Sequence, residues 1–181
     1  LDNALEFLTM SGMDLPLAVM ITIPAPWEHD RYMRQEIKDF YRYYATMMEP
    51  WDGPASILFT DGEILGAVLD RNGLRPSRYY ITDDNQLILA SEVGSISIDQ
   101  RHVVKKERLH PGKMLLVDTK QKRIIEDDEL KMKYATEHPY GEWLDNNMID
   151  FDSLKVPNKA IPPMDKELRA KLWKTYGYTY E

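Results

Sequence analysis

The stretch at residues 51–94 reads WDGPASILFTDGEILGAVLDRNGLRPSRYYITDDNQLILASEVG and predicts the centre of the fold. Short apolar runs alternate in it with turn-forming residues, and the runs lie at residues 57–59, 64–69, 78–81 and 87–90. Asp61-Gly62 separates the first two runs, and Asp83-Asp84-Asn85 separates the last two. Gly, Asn and Asp accept the positive φ that tight hairpin turns require. The stretch therefore predicts an antiparallel meander, which the rest of the chain supports.

The connection between the two predicted hairpins, DRNGLRP at residues 70–76, has the most unusual composition in the chain. It gathers five residues around one turn: Asp70, Arg71, Asn72, Gly73 and Arg75. One interpretation is structural, with Asn72-Gly73 taking the left-handed conformation and the charges facing solvent. The other is a small-molecule pocket at the end of the sheet, where an arginine holds a carboxylate. Both interpretations stay open on spacing alone.

Glu92 lies in the ASEVG segment that follows the last run of the predicted meander. It belongs either to an ordinary strand end, with a helix N-cap after it, or to a site in which it pairs with an arginine of the 70–76 loop. The second interpretation would make Glu92 a pocket residue, because a buried acid beside a guanidinium fixes the geometry of both groups.

The composition excludes several classes of function. The chain has 181 residues, 43% of them hydrophobic, which is enough for one domain with a core. Its net charge of -7 argues against nucleic-acid binding, and no apolar run approaches the ~18 residues of a membrane span. The absence of cysteine rules out a cysteine nucleophile or thiolate metal site within this chain. The scattered histidines predict no metal site, and the serines and glycines fit neither a serine hydrolase nor a phosphate loop.

Outside the predicted meander, the pattern predicts helices and short strands. Leu1, Leu5 and Leu8 share one helical face, and Ser11-Gly12 ends that helix. Residues 15–23 are uniformly apolar and fit either a buried strand or a buried helix, and a longer helix is predicted over residues 30–48. Later predictions are strands at 113–118 and 123–126, helices at 127–135 and 140–147, a linker at 150–163 and a helix capped by Asp165. Because no capping residue precedes Leu1, we expect further residues before it.

The apolar and turn segments together resemble one known family. LDNALEFL, AVMITIPAPWEHD, the run from YRYYATMMEP through ITDD, ASEVG, PGKMLLVD and YGYTYE occur in this order over nearly the whole chain. As a set they resemble the large subunits of glutamate synthases, in the class II, N-terminal-nucleophile glutamine amidotransferase domain. The resemblance implies an α+β fold and, more finely, part of a four-layer αββα sandwich with two facing antiparallel sheets and outer helices.

The resemblance also implies a chemistry. Members of the family hydrolyse glutamine to glutamate and ammonia with an N-terminal cysteine whose own amino group acts as base. An Asn-Gly pair forms the oxyanion hole, and an Arg and an Asp bind the substrate. All of these family residues precede the position that matches Leu1, so none maps onto this chain, and Asn72-Gly73 is not the oxyanion pair. Asp70, Arg71, Asn72, Gly73, Arg75 and Glu92 are expected at most to bind substrate or to support the pocket.

The chain is expected to consist of two parts of a longer enzyme. Residues 1–147 are expected to be the C-terminal portion of the amidotransferase domain, and residues 148–181 a linker and helix leading toward a central domain. The chain would be an inactive fragment of a cytoplasmic enzyme that delivers ammonia to 2-oxoglutarate and carries FMN and an iron–sulfur cluster elsewhere. Its expected partners are the remainder of that polypeptide and glutamine, with self-association through exposed sheet edges. The alternatives are a non-catalytic interaction module or a small-anion-binding module.

Overall fold

A computed structural model describes residues 1–155 and 163–179. The contacts divide the chain into a first unit, Leu1–Met148, and a second unit, Ile149–Glu181. The core of the predicted linker, at residues 156–162, lies outside the described residues.

The first unit contains five α-helices, a short 3-10 helix at Gln100–His102 and seven strands. The helices are α1 (Asp2–Met10), α2 (Leu15–Thr22), α3 (Gln35–Ala45), α4 (Asp127–Ala135) and α5 (Tyr140–Asn147). The strands are β1 (Ser56–Thr60), β2 (Ile64–Leu69), β3 (Arg78–Thr82), β4 (Leu87–Ala90), β5 (Val103–Arg108), β6 (Met114–Asp118) and β7 (Arg123–Ile125). The architecture is α+β with antiparallel sheets, as expected. The ambiguous run at residues 15–23 forms a helix, with Pro16 in its first turn.

The helix predicted at residues 30–48 is shorter than expected and begins only at Gln35. The Asp30 carboxylate accepts hydrogen bonds from the backbone N–H groups of Tyr32 and Met33, at 2.8 and 3.1 Å. An aspartate side chain that bonds its own backbone favours a turn over a helix, so the first five predicted residues stay outside α3. The buried face of α3 is formed by Ile37, Phe40 and Tyr41, of which Phe40 is fully buried.

The two predicted hairpins form, but the continuous meander is wrong. β1 and β2 pair antiparallel, and so do β3 and β4, yet β2 and β3 belong to different sheets. One sheet has four strands in the order β1-β2-β6-β7, and the other has three in the order β4-β3-β5. Residues 70–77 therefore carry the chain from one sheet to the other. β2 is apolar on both faces, because one face packs against the helices and the other packs against the three-stranded sheet.

The four-stranded sheet lies between the helices and the three-stranded sheet. Its side chains that face the helices, such as Val68 and Leu116, belong to the larger buried core together with α1 to α5. Alternate side chains of the same strands, such as Leu69 and Leu115, pack with Tyr79 of β3 in a second core. Because successive residues of a strand point to opposite faces, β2 and β6 contribute to both cores.

Gly66 on β2 is packed against the aromatic ring of Phe59 on β1. Phe59 of β1 lies opposite Gly66, and a Cβ at Gly66 would stand 2.0 Å from Phe59 Cζ. We expect Gly66→Ala to lower the free energy of unfolding by about 1–3 kcal/mol through overpacking, as measured by urea unfolding. Phe59→Leu makes room for the new methyl, so the double variant should lose less stability than the two single losses added together. If the loss of stability in the double variant equalled the sum of the two single losses, this packing would be contradicted.

The described residues of the second unit include a short 3-10 helix at Phe151–Ser153 and one α-helix, α6 (Lys166–Tyr176). The Asp165 carboxylate accepts a hydrogen bond from the N–H of Leu168 at 3.1 Å, and Gly177 ends the helix with a φ of 71°. The predicted cap and helix are confirmed. In the described parts of both units, no helix combines the length and apolarity needed to cross a membrane.

Candidate functional site

The 70–76 loop is organised by one buried carboxylate. Asp70 is 3% exposed, and its Oδ1 accepts a hydrogen bond from the N–H of Ala55 at 3.0 Å. Its Oδ2 accepts from the N–H groups of Asn72 and Gly73, at 3.0 and 3.2 Å. Burial alone would raise the pKa of Asp70, but these backbone donors outweigh it and hold the pKa below its usual value. Asp70 is thus a structural anion that fixes the loop to the segment before β1.

Gly73 lets the loop approach a second turn closely. Its φ is 59°, in the left-handed region, and a Cβ there would stand 2.3 Å from Pro111 Cγ. Both the backbone conformation and the space therefore require glycine. The turn at Pro111-Gly112 is close to a third segment, since a Cβ at Gly112 would lie 2.9 Å from Pro26 Cδ. Three connecting segments meet at this end of the first unit.

A buried ion pair on α4 holds the Pro111-Gly112 turn from the other side. Lys131 Nζ donates to Asp127 Oδ2 at 2.7 Å and to the carbonyl of Gly112 at 2.6 Å. Asp127 Oδ1 accepts from the N–H of Met114, at the start of β6, at 2.9 Å. Both side chains are buried. The i, i+4 spacing of Asp127 and Lys131 is visible in the sequence, but exposed pairs have the same spacing, so the sequence does not show that this pair is buried.

Arg71 borders a cavity of about 440 Å³, here called the Arg71 cavity. Trp27 and Trp51 also line the cavity, together with the 23–26 segment and His29. Arg71 Nη2 donates to Asp52 Oδ1 at 3.0 Å, and about half of the arginine side chain is exposed. A guanidinium that borders a cavity can hold a carboxylate, although Asp52 engages one of the N–H groups of Arg71 in this structure.

The structure brings only some of the predicted site residues together. Asp70, Arg71, Asn72 and Gly73 share the loop turn, and the Asp70 carboxylate accepts hydrogen bonds from the backbone N–H groups of Asn72 and Gly73. Arg75 is exposed and takes part in none of the ion pairs within the described residues. Glu92 is also exposed. Its backbone carbonyl accepts a hydrogen bond from Ser95 Oγ at 2.8 Å. No described ion pair joins Glu92 to an arginine, and no helix follows it directly.

Two further observations limit the chemistry of these residues. The sequence contains no cysteine, so the chain itself offers no thiol. Within residues 1–155 and 163–179, no three His, Asp or Glu side chains are grouped so that they could share a metal ion. What the geometry does provide is a rigid junction of loops beside a cavity with one arginine.

Comparison with known proteins places this geometry in context. The family model described as class-II glutamine amidotransferases matches residues 1–143. The chain is 46% identical over its full length to the large chain of an NADPH glutamate synthase from Bacillus subtilis, covering 12% of that protein. It is 50% identical over 154 residues to an NADH glutamate synthase from Schizosaccharomyces pombe, which is 84% of this chain and 7% of that protein.

A third relative is ferredoxin-dependent glutamate synthase 2 of Arabidopsis thaliana, a chloroplastic protein. It is 42% identical over an alignment of 184 residues that includes all of this chain and 11% of the relative. The chain thus spans 7–12% of the length of these three curated relatives.

Proposed function

Because the chain belongs to the class-II glutamine amidotransferase family, we propose that residues 1–147 form the C-terminal portion of such a domain in a glutamate synthase. The observation that carries this proposal is the family match over residues 1–143, which covers nearly all of the first unit. We propose that residues 148–181 are a linker and a helix, α6, that lead toward a central domain.

The proposed reaction of the longer protein is hydrolysis of glutamine to glutamate and ammonia, followed by reductive amination of 2-oxoglutarate with that ammonia. Covalent amide hydrolysis in this family requires a thiol nucleophile and an oxyanion hole. The chain has no cysteine, so the thiol has to come from residues outside these 181. The role proposed for this chain is to build the sheets and loops around the catalytic groups, without supplying them.

The proposed fold of the complete domain is the four-layer αββα sandwich. Three layers are present in the first unit: the helices, the four-stranded sheet and the three-stranded sheet. The outward side chains of the three-stranded sheet include Tyr80 and Ile88, which are only partly buried within the described residues. A partly apolar sheet face favours a further covering layer, which supports the finer description.

The 70–76 loop is proposed to support the pocket without contacting the reacting atoms. Asp70 holds the loop through backbone N–H groups, and Gly73 holds it against Pro111. Arg71 borders the Arg71 cavity, whereas Arg75 and Glu92 are exposed. The loop would therefore affect glutamine hydrolysis through the position of neighbouring segments.

The cofactors and partners are proposed for the longer protein. An iron–sulfur cluster does not fit this chain, which has no cysteine thiolate to bind it. FMN and the cluster are therefore proposed to bind elsewhere in the polypeptide, whose remainder is the proposed partner of these residues. A cytoplasmic location stays a proposal, since the relatives named above include a chloroplastic protein.

The proposal is tested by glutaminase activity and covalent labelling. We expect the 181-residue chain to release no ammonia from glutamine and to gain no mass with diazo-oxo-norleucine, because it lacks the thiol. A longer polypeptide that adds the preceding segment with its cysteine should show both activities. Ammonia release is measured by a coupled assay, and labelling by intact mass.

The matched control is the longer polypeptide with its nucleophilic cysteine changed to serine, which should lose the label while it remains folded. Ammonia release and a mass adduct with the 181-residue chain alone would show that another nucleophile operates here. Absence of activity in the longer polypeptide, with correct folding by circular dichroism, would instead support the non-catalytic interaction or anion-binding alternatives.

A further inference from the structure

A large groove opens in the helical layer of the first unit, between α1 and α4, and is here called the α1–α4 groove. Its volume is about 870 Å³. The floor is apolar and includes side chains from both the helices and the four-stranded sheet: Leu5, Leu15, Ile64, Leu116, Ile125 and Leu130. Elsewhere, helices cover this face of the sheet, so the groove is a gap in that layer.

The rim of the α1–α4 groove is acidic. Five carboxylates and two cations line the groove: Glu6, Asp14, Asp61, Asp118, Glu129, Arg123 and Lys133. Both cations are already paired, Arg123 with Glu129 at 2.6 Å and Lys133 with Asp14 at 3.6 Å. Lys120 lies nearby, but its ammonium group is paired with Glu63. The lining therefore keeps an excess of negative charge around an apolar floor.

We propose that the α1–α4 groove binds a basic amphipathic helix of a partner segment, with its apolar face on the floor and its Lys or Arg side chains along the rim. A helix fits because it satisfies its own backbone hydrogen bonds and needs only an apolar face to fill the gap. We expect the flanks of this helix to be basic, because the excess of carboxylates around the groove attracts cations and repels acidic segments. This inference does not depend on the proposed amidotransferase function.

Synthetic peptides test the proposal with the intact 181-residue chain. The probe is a 15-residue helix with leucines at i, i+3, i+4 and i+7 and lysines on its flanks. Two comparison peptides replace the lysines with glutamates or the leucines with serines. We expect saturable binding of the leucine–lysine peptide alone by isothermal titration calorimetry. We expect NMR methyl shifts confined to residues such as Leu5, Ile64 and Ile125.

Two charge-reversal variants locate the binding. Glu6 is exposed on the rim of the groove, whereas Glu49 is exposed and does not line it. Glu6→Arg should weaken binding of the leucine–lysine peptide by about two- to fivefold, on the scale of a surface ion pair. Glu49→Arg, with the same change in net charge, should leave that binding unchanged. Both substituted sites are on the surface, so we expect both variants to stay folded, which circular dichroism can check.

Three results would overturn the proposal. Equal binding of the serine–lysine peptide would mean that charge alone, without the apolar floor, attracts the probe. If Glu6→Arg and Glu49→Arg weakened the binding of the leucine–lysine peptide equally, the peptide would bind outside the groove. Self-association of the chain with methyl shifts in the groove, and no peptide binding, would show that a second copy is the occupant.

Discussion

Replacement of Asp127 by alanine is expected to lower the free energy of unfolding by about 3–5 kcal/mol, the usual cost of breaking a buried ion pair. The substitution leaves the buried Lys131 ammonium without its carboxylate and the N–H of Met114 without its acceptor. Neither group can reach water without opening the contact between α4 and the start of β6. Urea unfolding followed by circular dichroism at neutral pH measures the loss.

Asp128→Ala is the matched control, because Asp128 is the next residue in the first turn of α4 and is exposed. It removes one acidic side chain from the same helix N-terminus, so its cost should stay near the ~0.3–1 kcal/mol of a helix-dipole interaction. Lys131→Met in the Asp127→Ala background removes the unpaired charge and should recover part of the lost stability. Equal small losses for Asp127→Ala and Asp128→Ala would contradict a stabilising role for the buried pair.

Replacement of Asp70 by alanine is expected to cost about 2–4 kcal/mol, because three backbone N–H groups around the loop lose a charged acceptor. Asp70→Asn keeps the shape of the side chain and isolates the effect of the charge. The folded-state pKa of Asp70 is lowered, so the native protein binds fewer protons at this group than the unfolded chain does. Its contribution is therefore present above the unfolded pKa of about 3.9 and is lost as pH falls through the folded pKa.

We therefore expect the stability difference between wild type and Asp70→Asn to be largest near neutral pH and to shrink below about pH 4. Urea unfolding at a series of pH values measures it. Arg71→Ala is the control from the same loop: its ion pair with Asp52 is exposed, and surface pairs contribute about 0–1 kcal/mol. A difference between wild type and Asp70→Asn that stays constant from pH 7 to pH 3 would show that the charge of Asp70 is not what holds the loop.

Local sequence was sufficient to predict both hairpins and six of the seven strands of the first unit, but not β5. The turns at Asp61-Gly62 and Asn85 depend on backbone conformations that few residue types adopt, so they are readable from the chain itself. The assignment of β2 and β3 to different sheets was not readable, because it depends on the pairing of β2 with β6, far away in sequence. The helix at residues 15–22 was ambiguous for a similar reason, since burial on all sides removes its periodicity.

The arrangement of the candidate site, like the sheet order, could be predicted only in part from local sequence. The composition of the 70–76 loop was recognised as unusual, and one of the two interpretations placed Asn72-Gly73 in the left-handed conformation. The structure shows that conformation for Gly73 but not for Asn72. However, the charge of Asp70 was expected either in solvent or at a pocket, whereas Asp70 is buried and binds backbone N–H groups. Whether a carboxylate faces solvent or backbone is decided by the tertiary fold. The residues that hold the turn at 111–112 from α4 could be found only in the structure.

The crossing between the two sheets also has a consequence for the order in which the chain can fold. The three-stranded sheet is an excursion that leaves β2 and returns to β6, and its two ends are joined where the N–H of Leu109 donates to the carbonyl of Ser77 at 2.9 Å. Once this excursion has closed, the loop that still separates β2 from β6 is about a third as long. This lowers the entropy cost of pairing β2 with β6 by about 1 kcal/mol. Early formation of β3, β4 and β5 therefore favours the later assembly of the central strands, although the smaller sheet is the one farther from the helices.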